Sequence, residues 1–483
     1  MKITIPIIFA ALLTCSACTK FLKEDIYTEY DPAQFANSVD GFEKVLNSAY
    51  AELQIRGYDH RNDVYCFGEF CTDVMLQTGG GFEAQAKEFI TFTWNPTNGF
   101  LNTAWSKAYR AIRNSNVLLD NKDAATAIPP AKLNALVAEA RFIRATAYAY
   151  LYNLFGPVPL ITTAKNVDPG AFRATDEEMS TFIIDELKAA AGALPVQQSL
   201  RGKATRGAAL GVLCKFYLNK KMWQACADVA EEIRALKAYS LFDDVSRLFA
   251  VENENNSEYI FAFPCIAQSG YGNITMAHTF PPAYPILPNW IIFGAQFRLY
   301  TSFVDSFEPA DERLKMILRE YTNTSGVTIR MNRNAAGAAL NNARSFKYVP
   351  DPAGQSDAMG NDIPYIRYAD ILLALAESLN ELNGPTQPAI DLVNEVRARA
   401  SASLITLAGY GSREALRDFI LAERAREFVG EGKRREDLIR MGQFISGAQA
   451  RGMNAKPWHV LYPIPQREIE ANKNLEQNEG YVQ

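Results

Sequence analysis

The sequence predicts a mostly α-helical protein: a scaffold of tetratricopeptide-like helix pairs that carries a long, irregular, loop-rich insert with short strands. Three observations lead to this prediction. Hydrophobic residues make up 48% of the 483 residues, enough to bury a large core. Long stretches place apolar residues three and four positions apart, which is the period of one helix face. Between residues 239 and 360 this period stops, and Pro, Gly, Asn and aromatic residues replace it.

The apolar period predicts each helix in turn. A capping box, formed by Thr175 and Glu178, marks the start of one of them. Gly-Pro pairs end or separate others. The predicted helices cover residues 40–53, 103–119, 131–154, 175–194, 205–219, 222–236, 366–382, 388–400, 413–428 and 433–441. A strand is predicted at 259–263.

Small residues face one another in two helix pairs, which lets the helices approach closely. One pair joins residues 208–217 with 225–230, and the other joins 374–379 with 389–393. Stacked pairs of this kind form a curved scaffold. A generic helical bundle is the alternative. We expect one body in which scaffold segments 38–238 and 361–483 flank the insert 239–360 on the ligand side.

The amino-terminal residues 1–17 are typical of an export signal. A positive start is followed by an apolar run of eleven residues, 3–13, which is too short to span a bilayer. Small residues then precede Cys18, as in a bacterial lipobox, where the cysteine is acylated and becomes the new amino terminus. An ordinary secretory signal is the alternative. We expect a mature chain 18–483 that is tethered through lipid on Cys18.

The mature body would keep Cys66, Cys71, Cys214, Cys226 and Cys265, an odd number that cannot all pair. Cys214 and Cys226 lie in apolar helical sequence and are interpreted as core residues. Cys66 and Cys71 are close enough in sequence to bridge, but their spacing alone is a weak signal. We therefore predict no obligatory disulfide framework.

Composition and motifs argue against several functions. A net charge of −5, without a Lys/Arg tract, does not provide the basic stripe that nucleic acids need, so no nucleic-acid partner is expected. The three histidines, His60, His278 and His459, are far apart, which disfavours a histidine-rich metal site. Neither a zincin helix, a phosphate loop nor a nucleophile elbow is present in the sequence. We expect a non-enzymatic protein with no metal or cofactor.

Four groups of residues carry a family resemblance. They occupy 138–145 with 154–160, then 365–373 with 376–380, then 423–428 with 432–438, and finally 462–465 with 474–481. In this order they resemble the signatures of the SusD/RagB family, whose members are outer-membrane lipoproteins of Bacteroidetes. Residues 18–22 resemble the start of the mature family members. The motifs bracket almost the whole chain.

The resemblance implies a location and a function. It implies a lipid-anchored, surface-exposed outer-membrane protein that captures a nutrient, most often a glycan or oligosaccharide. It also implies a partner, a SusC-like TonB-dependent outer-membrane barrel, to which the cargo is delivered. Two alternatives stay open: a peptide-binding member of the same family, and a purely structural tetratricopeptide-type adaptor or lid.

Several signature residues place charges on otherwise apolar helices. Such charges must be paired or solvated. We therefore interpret them as structural ion pairs between helices rather than as ligand contacts. They are Arg141, Arg144, Arg367, Asp370, Glu423, Arg424 and Glu427.

Aromatic residues beside short polar residues are the pattern expected of a sugar site, because the C–H face of a sugar stacks on flat rings while its hydroxyls need polar partners. The first such segment covers residues 65–73 and 93–98. The resemblance implies that Asp73, Trp94 and Asn98 contact ligand here. A helix-cap role for Asp73 and partial burial of Trp94 are the alternatives.

The second segment is 271–300, where Pro-rich aromatic sequence favours a rigid stacking platform. Its candidate ligand-binding residues are Tyr284, Asn289, Trp290 and Phe293. The alternative is a loop that packs its aromatic side chains onto the scaffold.

Overall fold

The computed structural model describes residues 38–53, 61–331 and 342–481. The predicted export signal 1–17 and the predicted lipid acceptor Cys18 lie outside these ranges. The fold is mostly α-helical, as predicted. Within the described ranges, no helix combines the length and apolar character that a membrane crossing requires.

All ten predicted helices are present, because their apolar period is a local property of the sequence, and the described ranges contain five further α-helices that were not predicted. In chain order, the helices are α1 Val39–Leu53, α2 Glu83–Thr91, α3 Gly99–Asn121, α4 Pro130–Phe155, α5 Asp176–Ala193, α6 Arg206–Asn219, α7 Trp223–Ala235, α8 Thr275–Thr279, α9 Thr301–Val304, α10 Tyr368–Asn383, α11 Gln387–Arg399, α12 Arg413–Phe428, α13 Arg434–Arg440, α14 Phe444–Ala450 and α15 Gln466–Ala471.

The strands are short and lie mainly between α7 and α10. They are β1 Met75–Thr78, β2 Tyr259–Phe263, β3 Gln296–Leu299, β4 Ile317–Leu318, β5 Glu320–Thr322, β6 Thr328–Arg330, β7 Arg344–Ser345 and β8 Ile363–Arg367. The predicted strand 259–263 is confirmed as β2.

The predicted capping box begins α5. The Thr175 hydroxyl accepts a hydrogen bond from the Glu178 backbone N–H at 3.2 Å, and the Glu178 carboxylate accepts one from the Thr175 N–H at 2.8 Å. Two free N–H groups of the first helical turn are thereby satisfied. The prediction of this helix start from four residues is confirmed.

The helices form a continuous stack. Neighbours in sequence pack together from α3 through α7, and α10 then packs against α7 and α11. The predicted close pairs are confirmed as α6 with α7 and α10 with α11. Ala208 and Ala230 are fully buried between the members of the first pair. The chain therefore leaves the stack after α7 and returns to it at α10.

Two strand pairs connect this intervening part to the rest. Antiparallel β2 and β8 pair with Tyr259 opposite Arg367, and β8 runs directly into α10. Antiparallel β1 and β3 pair with Met75 opposite Leu299 and Thr78 opposite Gln296. The second pairing joins residues more than 200 positions apart, which no local sequence pattern predicts.

The signature charges form ion pairs within the protein, as predicted, and all of them except the half-buried Arg141 are buried. Arg367 is 0% exposed and contacts Glu258, Glu427 and Glu431, the last two at 2.9 Å. Arg144 pairs with Glu186 at 2.6 Å. A buried charge without a counter-charge costs several kcal/mol, so these pairs fix how the helices meet. Further examples are Arg141–Glu186, Glu423–Arg313, Arg424–Asp437 and Asp370–Lys433.

The first part of the first aromatic segment is helical and buried, so it does not offer the exposed rings that a sugar site needs. Residues Arg61–Phe70 form a π-helical turn in which Tyr65, Phe67 and Phe70 are 1–2% exposed. Gly68 packs directly on Gly432, where a Cβ atom would lie 2.5 Å from the Gly432 Cα. These aromatic rings fill the core because distant residues cover them, which the sequence pattern does not show.

Candidate ligand-binding site

Five aromatic residues, here called the aromatic cluster, meet between α8 and the strands that follow it. They are Phe280, Tyr284, Trp290, Tyr321 and Phe346. Phe280 is 0% exposed and stacks with Tyr284 at 5.3 Å between ring centroids and with Trp290 at 5.4 Å. Tyr284 also contacts Tyr321 and Phe346, each at 5.5 Å. Tyr284, Trp290 and Tyr321 remain partly exposed.

Trp290 is held by the loop of residues 351–360. Its indole Nε1 donates a hydrogen bond to the Asp351 carbonyl at 3.1 Å. The loop backbone lies close to the ring edge, since a Cβ on Gly354 would be 3.1 Å from Nε1. The Asp351 carboxylate in turn accepts the backbone N–H groups of Ala353 and Gly360 at 2.8 and 2.9 Å. The orientation of Trp290 is thus fixed before any ligand arrives.

Asn289 joins the same two loops. Its side-chain amide donates to the Gly354 carbonyl at 2.5 Å, and its backbone carbonyl accepts from the Ser356 N–H at 2.7 Å. The Ile291 N–H donates to the Ser356 carbonyl at 3.1 Å. Asn289 is exposed beside Trp290, but its amide nitrogen already binds the neighbouring loop.

The β5–β6 hairpin supports the opposite side of the cluster. The Tyr321 hydroxyl donates to the Pro282 carbonyl at 2.9 Å, and the Thr324 N–H donates to the Ala283 carbonyl at 3.0 Å. A cleft of about 610 Å³ opens beside it, lined in part by Phe346 and Arg319. Cavities of several hundred Å³ are the usual size for small-ligand sites.

The geometry suits a ligand with both a flat apolar face and polar groups. Partly exposed rings of Tyr284 and Trp290 provide apolar surface, and exposed Gln355 and Ser356 beside them provide polar groups. Leu287, 41% exposed, extends the apolar area. Binding to such a preformed surface loses little conformational entropy.

Phe293 does not join the aromatic cluster. Its ring packs on His278 at 4.6 Å, and His278 stacks on Phe297 at 4.4 Å. The Phe293 N–H donates to the Ala277 carbonyl at 2.8 Å. The residue is partly exposed, but its contacts are those of a side chain that anchors the loop to α8.

Asp73 lies far from Phe293. Strands β1 and β3 pair over four residues. Asp73 lies beyond the Met75–Leu299 end of this pairing and Phe293 beyond the Thr78–Gln296 end, so the two residues are about 13 Å or more apart. The Asp73 carboxylate binds the Arg434 guanidinium through two contacts of 2.7 Å and is 39% exposed. Burial alone would raise the pKa of Asp73, but the bound guanidinium lowers it below its ordinary value. The structure gives Asp73 a partner within the chain.

Trp94 and Asn98 are structural, which corrects the expectation that they contact ligand. Trp94 is 3% exposed, packs on Phe92 and Tyr462 at 4.9 Å, and donates to the Tyr481 hydroxyl at 2.8 Å. Asn98 caps α3, and its side-chain oxygen accepts from the Phe100 N–H at 2.9 Å. The core covers both side chains, so neither offers a surface to a ligand in this conformation.

Sequence reasoning missed three members of the aromatic cluster: Phe280, Tyr321 and Phe346. Phe280 directly precedes Pro281-Pro282, a position that could have drawn attention to it. Tyr321 and Phe346 lie in separate strands or at their ends, and no local signal connects them to Trp290. Only strand pairing and loop docking bring these rings together.

A second cavity, of about 170 Å³, lies in the scaffold between α4, α6 and α13. Its polar groups already satisfy one another: the Glu436 carboxylate accepts from Asn153 at 2.9 Å and from Asn219 at 3.0 Å, and it pairs with Lys215. It is therefore the less suitable ligand site. In the described part of the chain, no three His, Cys, Asp or Glu side chains converge as metal ligands would.

Comparisons with known proteins all identify SusD-like relatives of this chain. Residues 20–218 match the profile described as "Starch-binding associating with outer membrane", and residues 288–481 match the profile of the SusD family. A SusD-like protein of Formosa agariphila is 29% identical over 100% of both chains. The starch-binding protein SusD of Bacteroides thetaiotaomicron is 25% identical over 82% of this chain and 81% of its own.

Solved structures show the same fold. Surface glycan-binding protein A from Bacteroides thetaiotaomicron, solved in complex with laminarihexaose, superposes with a TM-score of 0.76 at 19% identity. The match covers 91% of this chain and 99% of the other.

Proposed function

Because the chain belongs to the SusD family, we propose that it is a cell-surface lipoprotein that binds a glycan at the aromatic cluster and delivers it to a TonB-dependent outer-membrane barrel. The proposal assigns it a binding role rather than a catalytic one. Relatives named for starch binding and for a laminarihexaose complex support the ligand class.

One observation carries the ligand proposal: Tyr284 and Trp290 both stack on the buried ring of Phe280 while staying partly exposed themselves. Their positions are fixed by Asp351, Gly354 and the β5–β6 hairpin. A fixed aromatic surface matches the C–H face of a pyranose. Because the rings are already fixed, little conformational entropy is lost when a ligand binds.

The test is a titration of soluble chain 18–483 against a panel of neutral and acidic polysaccharides. Trp290→Ala and Tyr284→Ala should each weaken binding to the best ligand at least tenfold, which is about 1.4 kcal/mol. Trp223→Ala, a matched change of a partly buried tryptophan on α7, should leave binding unchanged. Equal loss in all three variants, or binding of a peptide mixture but of no polysaccharide, would contradict the proposal.

The anchor and the barrel partner are supported by the sequence of residues 1–22 and by the family. Labelled fatty acid should be incorporated into the full-length chain and not into Cys18→Ser. The chain should also co-purify with a TonB-dependent outer-membrane barrel from native membranes solubilised in mild detergent. If Cys18→Ser loses its membrane anchor but keeps its glycan affinity, lipid anchoring and glycan binding are independent of each other.

A further inference from the structure

A third cavity opens on the scaffold and is separate from the aromatic cluster. It has a volume of about 320 Å³ and lies between the loop that joins α5 to α6, the segment that follows α7, and strand β2. None of its described lining residues belongs to the aromatic cluster or to the loop of residues 351–360. Cavities of this size accommodate small ligands.

The cavity is open to solvent. Leu200 is 64% exposed, and Gln197 and Asn255 are exposed as well, so these lining residues lie at its mouth. Ile260 and Phe261, which are 5% and 3% exposed, lie at its floor. A ligand can therefore reach the lining directly from solvent.

The charged groups in the wall already have partners. Arg201 pairs with Glu254 and, at 3.3 Å, with Asp362. Lys203 pairs with Glu139 at 3.6 Å. Arg201, Lys203 and Asp362 are the charged residues of the described lining. A charged ligand would give up its hydration here without meeting an unpaired counter-charge, so the wall favours a neutral ligand.

The uncharged polar side chains of the wall can still form hydrogen bonds. Among the described residues, no hydrogen bond occupies the side-chain amide of Gln197 or of Asn255. The Gln198 amide nitrogen donates to the Ala204 carbonyl at 3.0 Å, and its amide oxygen can accept. Each of these amides offers both donors and an acceptor. A sugar hydroxyl, which also donates and accepts, matches such a lining.

The edge of β2 forms part of the same wall. Its four successive residues Tyr259 to Ala262 line the cavity. Because side chains of a strand alternate between two faces, four residues in a row reach one space only where the strand edge faces it. In the described part of the chain β2 pairs only with β8, and the register of this pairing shifts between Tyr259 and Phe261. Bulges of this kind are frequent next to active sites.

Two lining residues are held in place by the backbone around them. Tyr239 packs against α6 at Gly207, where a Cβ atom would collide with the tyrosine hydroxyl. The half-buried Tyr239 thereby adds a fixed ring to the wall. Asn255 has a positive φ of 56°, a conformation in which residues other than glycine are uncommon and which is concentrated at functional sites. A wall that is already formed loses little conformational entropy on binding.

We infer that this cavity is a second binding site of the chain, which receives one neutral sugar unit, either as a free monosaccharide or within a glycan. Gln197, Gln198, Asn255 and the edge of β2 hydrogen-bond the sugar hydroxyls, and Tyr239 contacts its C–H groups. The inference goes beyond the proposed function, because it does not depend on the aromatic cluster. Occupation of both sites by one polymer strengthens its attachment.

The test uses the soluble chain 18–483 with Trp290→Ala, so that the aromatic cluster does not contribute. Ligand-observed NMR titrations with glucose, galactose, mannose, xylose and N-acetylglucosamine, and with laminarin as a polymer, should detect at least one neutral ligand. Glucuronate and glucosamine, which carry a charge, should bind more weakly than that ligand. A monosaccharide that binds identifies a free sugar as sufficient, whereas binding of laminarin alone assigns the site to a unit within a chain.

A pair of substitutions should remove this binding. Gln197→Ala combined with Asn255→Gly should weaken it at least tenfold, and glycine accepts the positive φ at position 255, so the fold is preserved. Asn166→Gly is the matched control, since Asn166 is also exposed and has a φ of 50°, and it should leave the affinity unchanged.

Hydrogen exchange of the Trp290→Ala chain provides a measurement without substitutions in the cavity. The bound ligand should slow amide exchange in residues 196–205 and 257–262 and not in residues 284–291. No binding of any neutral ligand, an unchanged affinity in the double variant, or tighter binding of glucuronate would overturn the inference. The proposed function is judged separately, by the loss of polysaccharide affinity that Trp290→Ala causes.

Discussion

The indole nitrogen of Trp290 donates a hydrogen bond to the backbone carbonyl of Asp351, 3.1 Å away, and so ties together two loops that are 61 residues apart in sequence. The same hydrogen bond sets the angle at which the partly exposed Trp290 ring faces solvent. The relationship separates two roles of Trp290, stacking on a ligand and bracing the loop, and the two respond differently to substitution.

Trp290→Phe should keep an aromatic ring but lose the N–H donor. Loss of the indole hydrogen bond should cost about 1 kcal/mol of stability, although the Asp351 carbonyl still accepts from the Gly354 N–H at 2.9 Å. Amide exchange at Gly354 and Gln355 should accelerate. Glycan affinity should fall less than in Trp290→Ala. Exchange mass spectrometry and titration check these outcomes. Unchanged exchange across residues 351–358 would show that the hydrogen bond does not brace the loop.

Trp94→Ala should destabilise the fold by about 3–5 kcal/mol, because it empties a core position packed by Phe92 and Tyr462. Trp94→Phe should cost less, since it loses mainly the bond to the Tyr481 hydroxyl. Guanidinium denaturation measures both. The affinity of the folded variants for glycan should match wild type; a weakened affinity with normal stability would restore Trp94 to the ligand site.

Arg367→Met should destabilise the chain by about 3–5 kcal/mol, because it removes a buried cation that contacts Glu258, Glu427 and Glu431 at once. Arg330→Met is the matched control, since it breaks an exposed pair with Glu320 and should cost about 1 kcal/mol or less. Urea denaturation of both variants measures the two losses of stability. Similar midpoints would mean that the buried network contributes little.

Glu69 should make stability depend on pH. Burial raises the pKa of its carboxyl from the ordinary 4.5 to about 8, although the Gly432 N–H and the charge of Lys347 oppose the change. The unfolded carboxyl releases its proton near pH 4.5, so the stabilising contribution of the protonated folded form is complete below that pH. It is lost as the pH rises towards 8.

Glu69→Gln imitates the protonated carboxyl and keeps an oxygen for the Gly432 N–H, which Glu69 binds at 2.8 Å. It should be close to neutral at pH 5 and stabilising by something on the order of 1–3 kcal/mol at pH 8. Melting curves across this range test it against Glu479→Gln, an exposed control. Parallel curves for wild type and Glu69→Gln would contradict the assignment.

The helices and the charged signature residues were predictable from the sequence. The Thr175–Glu178 cap and helix 413–428 follow from interactions within four residues, and the apolar period shows which helix face turns inward. A charge such as Glu423 on the inward face of α12 must find a partner inside the protein, so its pairing could be expected, although the identity of Arg313 as a partner could not.

The aromatic positions show the limit of this reasoning. Trp94 and Trp290 stand in similar polar, Pro-containing sequence, and both were predicted to stack on ligand. Trp94 is covered by residues as far away as Tyr481, 387 positions along the chain, whereas Trp290 rests on Phe280 and stays partly exposed. Burial of an aromatic ring depends on which distant segment packs over it, and local sequence does not contain that information.

The sequence by itself determined that the chain forms stacked helices with paired internal charges, because the helix period and the cost of an unpaired buried charge act over short distances or on single residues. Only the tertiary structure decided which aromatic rings face solvent. That outcome depends on contacts between regions far apart in the chain, such as Trp94 with Tyr481 and Trp290 with the loop at Asp351.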